Sequence, residues 1–133
     1  MKPDAEGHYL LSAEASFSAA HTLPGVDMCE RFHGHNWRVR LTVKVPERGL
    51  DELGMGVDFR EIERVAKEVV GEFEHRYLND LPEFKERPPT AERVAKVICV
   101  QAAERLAASA LAAKISDVEV WETPQFRVVY RPA

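Results

Sequence analysis

Two long segments near the start of this chain alternate polar and apolar residues. Between Leu11 and Ala19 every odd-numbered residue is apolar, whereas Ser12, Glu14, Ser16 and Ser18 are polar. The same two-residue period runs from His33 to Val45, where one face carries His33, His35, Trp37, Val39, Leu41, Val43 and Val45. This period is typical of strands with one buried face. It predicts strands over His8–His21 and His33–Val45, which we expect to be antiparallel neighbours.

The rest of the chain predicts two helices and two further strands. Asp58 and Glu61 form a capping-box pattern, and the helix that follows should bury Phe59, Ile62, Val65, Ala66, Val69 and Phe73. Thr90 can cap a second helix, and strands are expected at 115–123 and 126–130. The order predicts an α+β fold, a four-stranded antiparallel sheet with both helices on its apolar face. The other face is charged and the edges are open, which suggests that subunits pair to close a barrel.

Composition narrows the classes of function. The chain has 133 residues, a net charge of -4 and two cysteines, which suits a single domain over 1–133 with a loose N-terminus at 1–8. Scattered basic residues argue against nucleic-acid binding. The cysteine count favours a reducing cytoplasm, and the sequence lacks an apolar run that would predict a signal peptide or a membrane span.

Three histidines are the strongest functional signal. His33 and His35 leave the same face of the second predicted strand, and His21 ends the apolar face of the first. Any one of them alone would be read as a strand histidine satisfied by hydrogen bonds. Three on matching faces predict an open zinc site, with one coordination position left for substrate.

Four further residues have side chains suited to catalysis or binding, and each also has a purely structural interpretation. Cys29 is a general base or nucleophile activated near a metal, a fourth ligand that would make the protein a non-catalytic zinc-binding module, or an idle thiol. Glu74 and His75 form either a proton relay or a solvated helix end. Glu122 puts a carboxylate on an otherwise apolar strand face, as a rim residue or as an anchor for a guanidine-like heterocycle.

Taken together, these motifs resemble the 6-pyruvoyl-tetrahydropterin synthase family, and in particular its bacterial queuosine-pathway branch, 6-carboxy-tetrahydropterin synthase. Phe17-Ser18-Ala19-Ala20-His21 and His33-Gly34-His35 look like the zinc-ligand segments of the family. The segment from Glu74 to Asp80 resembles an Asp-His pair followed by Tyr-Leu-Asn-Asp. Pro89-Thr90-Ala91-Glu92 looks like the Pro-Thr helix start of the family, and Trp121-Glu122-Thr123 matches the place of its pterin-anchoring glutamate.

The resemblance implies a tunnelling fold, in which trimers close a barrel and stack into hexamers. It implies zinc on His21, His33 and His35, catalysis by Cys29 and His75 with Glu74, and pterin binding by Glu122, Thr123 and Thr90. The substrate would be 7,8-dihydroneopterin triphosphate. A pyruvoyl product is an alternative, and Glu30 beside Cys29 resembles a subgroup that also cleaves the side chain to leave 6-hydroxymethyl-dihydropterin for folate.

Overall fold

The computed structural model describes residues 6–25, 33–108 and 113–133. Along the chain the elements are β1 (His8–His21), β2 (His33–Pro46), α1 (Phe59–Gly71), β3 (Arg76–Tyr77), α2 (Ala91–Ala108), β4 (Lys114–Thr123) and β5 (Phe126–Tyr130). Short 3-10 turns lie at Glu47–Gly49, Leu78–Asp80 and Pro82–Phe84. The five strands form one sheet in the order β3-β1-β2-β4-β5. The α+β class is therefore confirmed.

The two long strands pair as their alternation predicts. β1 and β2 are antiparallel over their full lengths, with His21 opposite His33, Ala19 opposite His35 and Phe17 opposite Trp37. The Phe17 and Trp37 rings stack at 5.6 Å and nearly parallel, and the Trp37 indole N–H donates to the Ala19 carbonyl at 3.3 Å. This packing fixes the register immediately before the histidines.

Both helices cover the apolar face of the sheet. Their buried residues meet Val39, Leu41, Val118 and Val120 in one core. The predicted burial of Phe59 is wrong, because its side chain is 63% exposed. It belongs to the first turn of α1, at the end of the apolar stripe, where it lines a surface cavity with Tyr9, Leu10 and Met55.

The sheet differs from the prediction by one strand. β3 runs parallel to β1, pairing Ala19 with Arg76 and Ala20 with Tyr77. A two-residue strand is too short to show a periodicity, so the sequence predicted four antiparallel strands instead. Its pairing brings the segment after α1 against the end of β1 that carries His21.

Both predicted helix caps are present, but one of them is simpler than predicted. The Asp58 carboxylate accepts the Arg60 N–H at 2.8 Å, while Glu61 pairs with Arg64 at 3.1 Å. The reciprocal capping box is therefore not formed. At α2, the Thr90 hydroxyl accepts the Arg93 N–H at 3.2 Å, as a helix cap does.

The second face of the sheet is polar. Arg38 lies over the Trp121 ring at 3.8 Å, and Glu14 pairs with both Arg38 and Arg40. Charged side chains therefore cover the face opposite the helices, as expected. Within the described ranges, no helix is both long and apolar enough to cross a membrane.

Candidate metal centre

The three histidines predicted as ligands meet at one end of the sheet. The His21 and His33 rings have centroids 4.5 Å apart, His33 and His35 4.8 Å, and His21 and His35 5.2 Å. Glu122 joins them from β4, and one potential ligand atom from each of these four residues lies within 4.8 Å of the others. The antiparallel register of β1 and β2 produces this convergence.

A backbone carbonyl orients the His21 ring. Its Nδ1 lies 2.9 Å from the Pro89 carbonyl oxygen, just before α2. Because a carbonyl can only accept, Nδ1 carries the hydrogen, and Nε2 of the neutral ring presents its lone pair to the cluster. A ligating histidine is commonly held in this way by its second nitrogen.

The cluster has buried polar atoms that a cation would satisfy. Nε2 of His21 and Nε2 of His35 are both buried without a hydrogen-bond partner. Burial lowers the pKa of His35, which favours the neutral imidazole that can bind a metal. Imidazole nitrogens together with a carboxylate oxygen are a donor set that a divalent transition metal such as zinc prefers. The residues present therefore fit a metal ion.

A hydrogen-bonded clamp holds the chain just beyond His21. The Thr22 N–H donates to the Asn79 side-chain oxygen at 2.9 Å, and the Asn79 amide donates back to the Thr22 carbonyl at 3.0 Å. The Thr22 and Tyr77 hydroxyls lie 2.7 Å apart. Spacing arguments missed this role of Asn79, since a loop asparagine is ordinary. The Pro89 carbonyl carries no side-chain signal at all.

Glu74 and His75 lie at the edge of the same region. Glu74 Oε1 is 3.1 Å from His75 Nε2 and accepts the Ser18 N–H at 3.1 Å. The His75 N–H donates to the Ser18 carbonyl at 2.7 Å. His75 and His35 both line a cavity of about 560 Å³. The longer glutamate, where the family pattern has aspartate, thus reaches both His75 and β1.

Two other predicted site residues, Thr90 and Thr123, accept hydrogen bonds from nearby backbone N–H groups. Thr90 caps α2 beside Pro89, and the Thr123 hydroxyl accepts the Gln125 and Phe126 N–H groups at 3.3 and 3.2 Å in the β4–β5 turn. Their hydroxyls are therefore engaged in local structure. Cys29 and Glu30 lie outside the described residues.

Together the fold and site define a one-sheet α+β protein with a three-histidine, one-carboxylate candidate metal site. A family model described as 6-pyruvoyl tetrahydropterin synthase matches residues 10–133. The chain belongs to the 6-pyruvoyl tetrahydropterin synthase family.

Similar proteins agree with this assignment. The chain is 35% identical over 130 residues to the 6-carboxy-5,6,7,8-tetrahydropterin synthase of Bacillus subtilis, covering 92% of this chain and 84% of that protein. It is 30% identical to the dihydroneopterin monophosphate aldolase of Pyrococcus furiosus, covering 86% and 90%. The structure of Caenorhabditis elegans 6-pyruvoyl tetrahydropterin synthase superposes with a TM-score of 0.79 at 22% identity, covering 96% and 97%. At 22% identity, the similarity to the Caenorhabditis elegans structure shows a shared fold only.

Proposed function

We propose that this protein is a zinc-dependent lyase that converts 7,8-dihydroneopterin triphosphate to 6-carboxy-5,6,7,8-tetrahydropterin, a step toward queuosine-type 7-deazapurines in the cytoplasm. The observation that carries the proposal is the cluster of three imidazoles, of which His35 lines a cavity together with His75. Family membership and the similarity to the Bacillus subtilis synthase support the pterin substrate.

Each residue has a role that follows from its chemistry. His21, His33 and His35 would hold the ion, which supplies Lewis acidity toward the hydroxyl oxygens of the substrate side chain. His75 would exchange a proton with that side chain, oriented by the Glu74 contact at 3.1 Å. Cys29 would move the proton at the ring carbon that bears the side chain. Glu122 and Thr123 would bind the pyrimidine edge of the pterin.

The direct test is identification of the product. Zinc-loaded protein is incubated with 7,8-dihydroneopterin triphosphate, and the released pterin is identified by mass spectrometry. We expect 6-carboxy-tetrahydropterin, and we expect its formation to stop with a chelator and resume with zinc. Release of a pyruvoyl pterin would replace the product assignment, whereas unchanged substrate would refute the lyase function.

A second candidate activity is cleavage of the substrate side chain to leave 6-hydroxymethyl-dihydropterin. The 30% identity to an aldolase named for dihydroneopterin monophosphate favours its consideration, as does Glu30 directly after Cys29. Cys29→Ala should bind zinc and substrate but lose the carboxy product. Glu30→Gln should lose only the hydroxymethyl product, so chromatography of both variants' products separates the two activities.

A further inference from the structure

We propose that Glu122 is a fourth protein ligand of the metal when no substrate is bound, in addition to any contact with the pterin. Its Oε1 lies 3.0 Å from His35 Nε2 and 3.4 Å from His21 Nε2. Tetrahedral zinc with bonds of about 2.0–2.1 Å has ligand atoms separated by about 3.3–3.4 Å. The carboxylate oxygen therefore sits close to the distance from the imidazoles that a fourth vertex requires.

Electrostatics favour the same assignment. The hydrogen on His21 Nδ1 points to Pro89, so in the neutral ring the Nε2 lone pair faces the carboxylate. Two acceptors at this distance repel unless a positive charge lies between them. Among the described residues, the ion-pair partners of Glu122 are these two imidazoles. A cation shared by the imidazoles and the carboxylate removes the repulsion.

The alternation along β4 directs the Glu122 side chain to the face of the sheet that carries the histidines. On β4 the residues Val118 and Val120 are buried in the core, and Glu122 continues the same face at the strand end. Its side chain is only 24% exposed. A half-buried carboxylate is costly without a strong partner.

Four protein ligands would close the site, as in structural zinc centres. If the proposed function holds, substrate hydroxyls must displace Glu122 before they reach the metal. The freed carboxylate then becomes available to the pterin. Glu122 would thus link occupation of the pterin pocket to the opening of a coordination position.

The test compares Glu122→Gln with Glu119→Gln in otherwise intact protein. Glu119 lies on the same strand and pairs instead with Arg40 and Arg127 at 3.5 Å, which makes it a matched control. Zinc affinity is measured by chelator competition, and zinc-induced infrared difference spectra report carboxylate coordination. We expect Glu122→Gln to weaken zinc binding by at least about tenfold, since even residues outside the first coordination shell cost that much. It should also lose the zinc-induced carboxylate bands, whereas Glu119→Gln keeps both properties.

Equal zinc affinity and unchanged carboxylate bands in Glu122→Gln would overturn the proposal. A thiolate charge-transfer band in the cobalt-loaded protein that disappears in Cys29→Ala would overturn it as well, because sulfur would then be the fourth ligand. If Glu122→Gln does not fold, Glu122→Asp draws the carboxylate back by one methylene and is expected to give the same losses. Zinc-induced bands that do not respond to added neopterin would support the ligand assignment while counting against the pterin function.

Discussion

At the scale of single residues, the backbone of His75 adopts a strained conformation in the folded protein. Its φ of 57° lies in the left-handed region, and the residue is not glycine. Such conformations cost on the order of 1–3 kcal/mol and tend to occur at functional sites. Here the turn lets the His75 N–H reach Ser18 while the imidazole stays beside Glu74. The strain therefore places a candidate proton-transfer group at the rim of the cavity.

Replacing His75 should separate stability from activity. His75→Gly relieves the left-handed strain, so we expect its free energy of unfolding to exceed that of His75→Ala by about 1 kcal/mol. Both variants should lose turnover, because neither retains an imidazole. Urea denaturation and the pterin assay measure the two effects. A glycine variant less stable than the alanine variant would contradict the strain assignment.

The sequence identified the side chains of the candidate site, but not the contacts that hold them in place. Strand parity was sufficient to place His21, His33 and His35 on converging faces, and it marked Glu122 as an unusual carboxylate. It did not reveal that Glu122 meets the imidazoles, because that contact depends on β2 and β4 being neighbours. The Pro89 carbonyl that orients His21 is a backbone atom, which no residue pattern can indicate.

At the scale of elements, the start of α2 connects helix capping to the candidate metal centre. The Thr90 hydroxyl caps the helix, and the preceding Pro89 carbonyl contacts His21 at 2.9 Å. The cap therefore fixes the backbone next to the atom that sets the His21 tautomer. Thr90 has a structural role whether or not it also contacts substrate.

Removing this cap should destabilise the protein. We expect Thr90→Ala to lower the free energy of unfolding by about 1 kcal/mol, the usual cost of an N-cap. Thr90→Ser keeps the hydroxyl and should retain nearly all of that stability. Urea denaturation of the three proteins measures the difference. An alanine variant as stable as the serine variant would show that the capping bond contributes nothing.

The sequence predicts long elements more reliably than short ones, because only a long element repeats its pattern of apolar residues several times. The structure has β1 over His8–His21, as its alternation predicts, and β5 over Phe126–Tyr130, where a strand was expected after the turn. β3 escaped prediction because two residues cannot display a period. Phe59 was assigned to the core from helical spacing, yet at the first turn of α1 that spacing says nothing about whether a neighbouring element reaches it.

At the scale of the whole molecule, the sheet has edges suited to association. Within the described residues, β1 pairs on its outer side with β3 only at Ala19 and Ala20, and β5 ends the sheet order on the other side. Tyr9 and Leu10 on β1 are 48% and 57% exposed, and Phe126 on β5 is 72% exposed. Open edges with exposed apolar residues favour pairing with further copies of a chain.

We therefore expect the protein to form a trimer that closes a barrel, or a hexamer of two such trimers. Light scattering coupled to size-exclusion chromatography should give three or six times the chain mass of 15.0 kDa. A single-chain mass at micromolar and higher concentrations would contradict the barrel. The edges suggested association from the sequence alone, but the copy number came from family resemblance, since one chain's pattern does not encode it.

The central claim is that His21, His33 and His35 hold one metal ion in a site that a pterin can reach. Anomalous diffraction at the zinc edge, from crystals of zinc-loaded protein with bound neopterin, tests it most directly. The account predicts one zinc peak per chain, within bonding distance of a nitrogen of each of these imidazoles and next to the pterin side chain. A zinc peak elsewhere, or one completed by a cysteine sulfur, would contradict it.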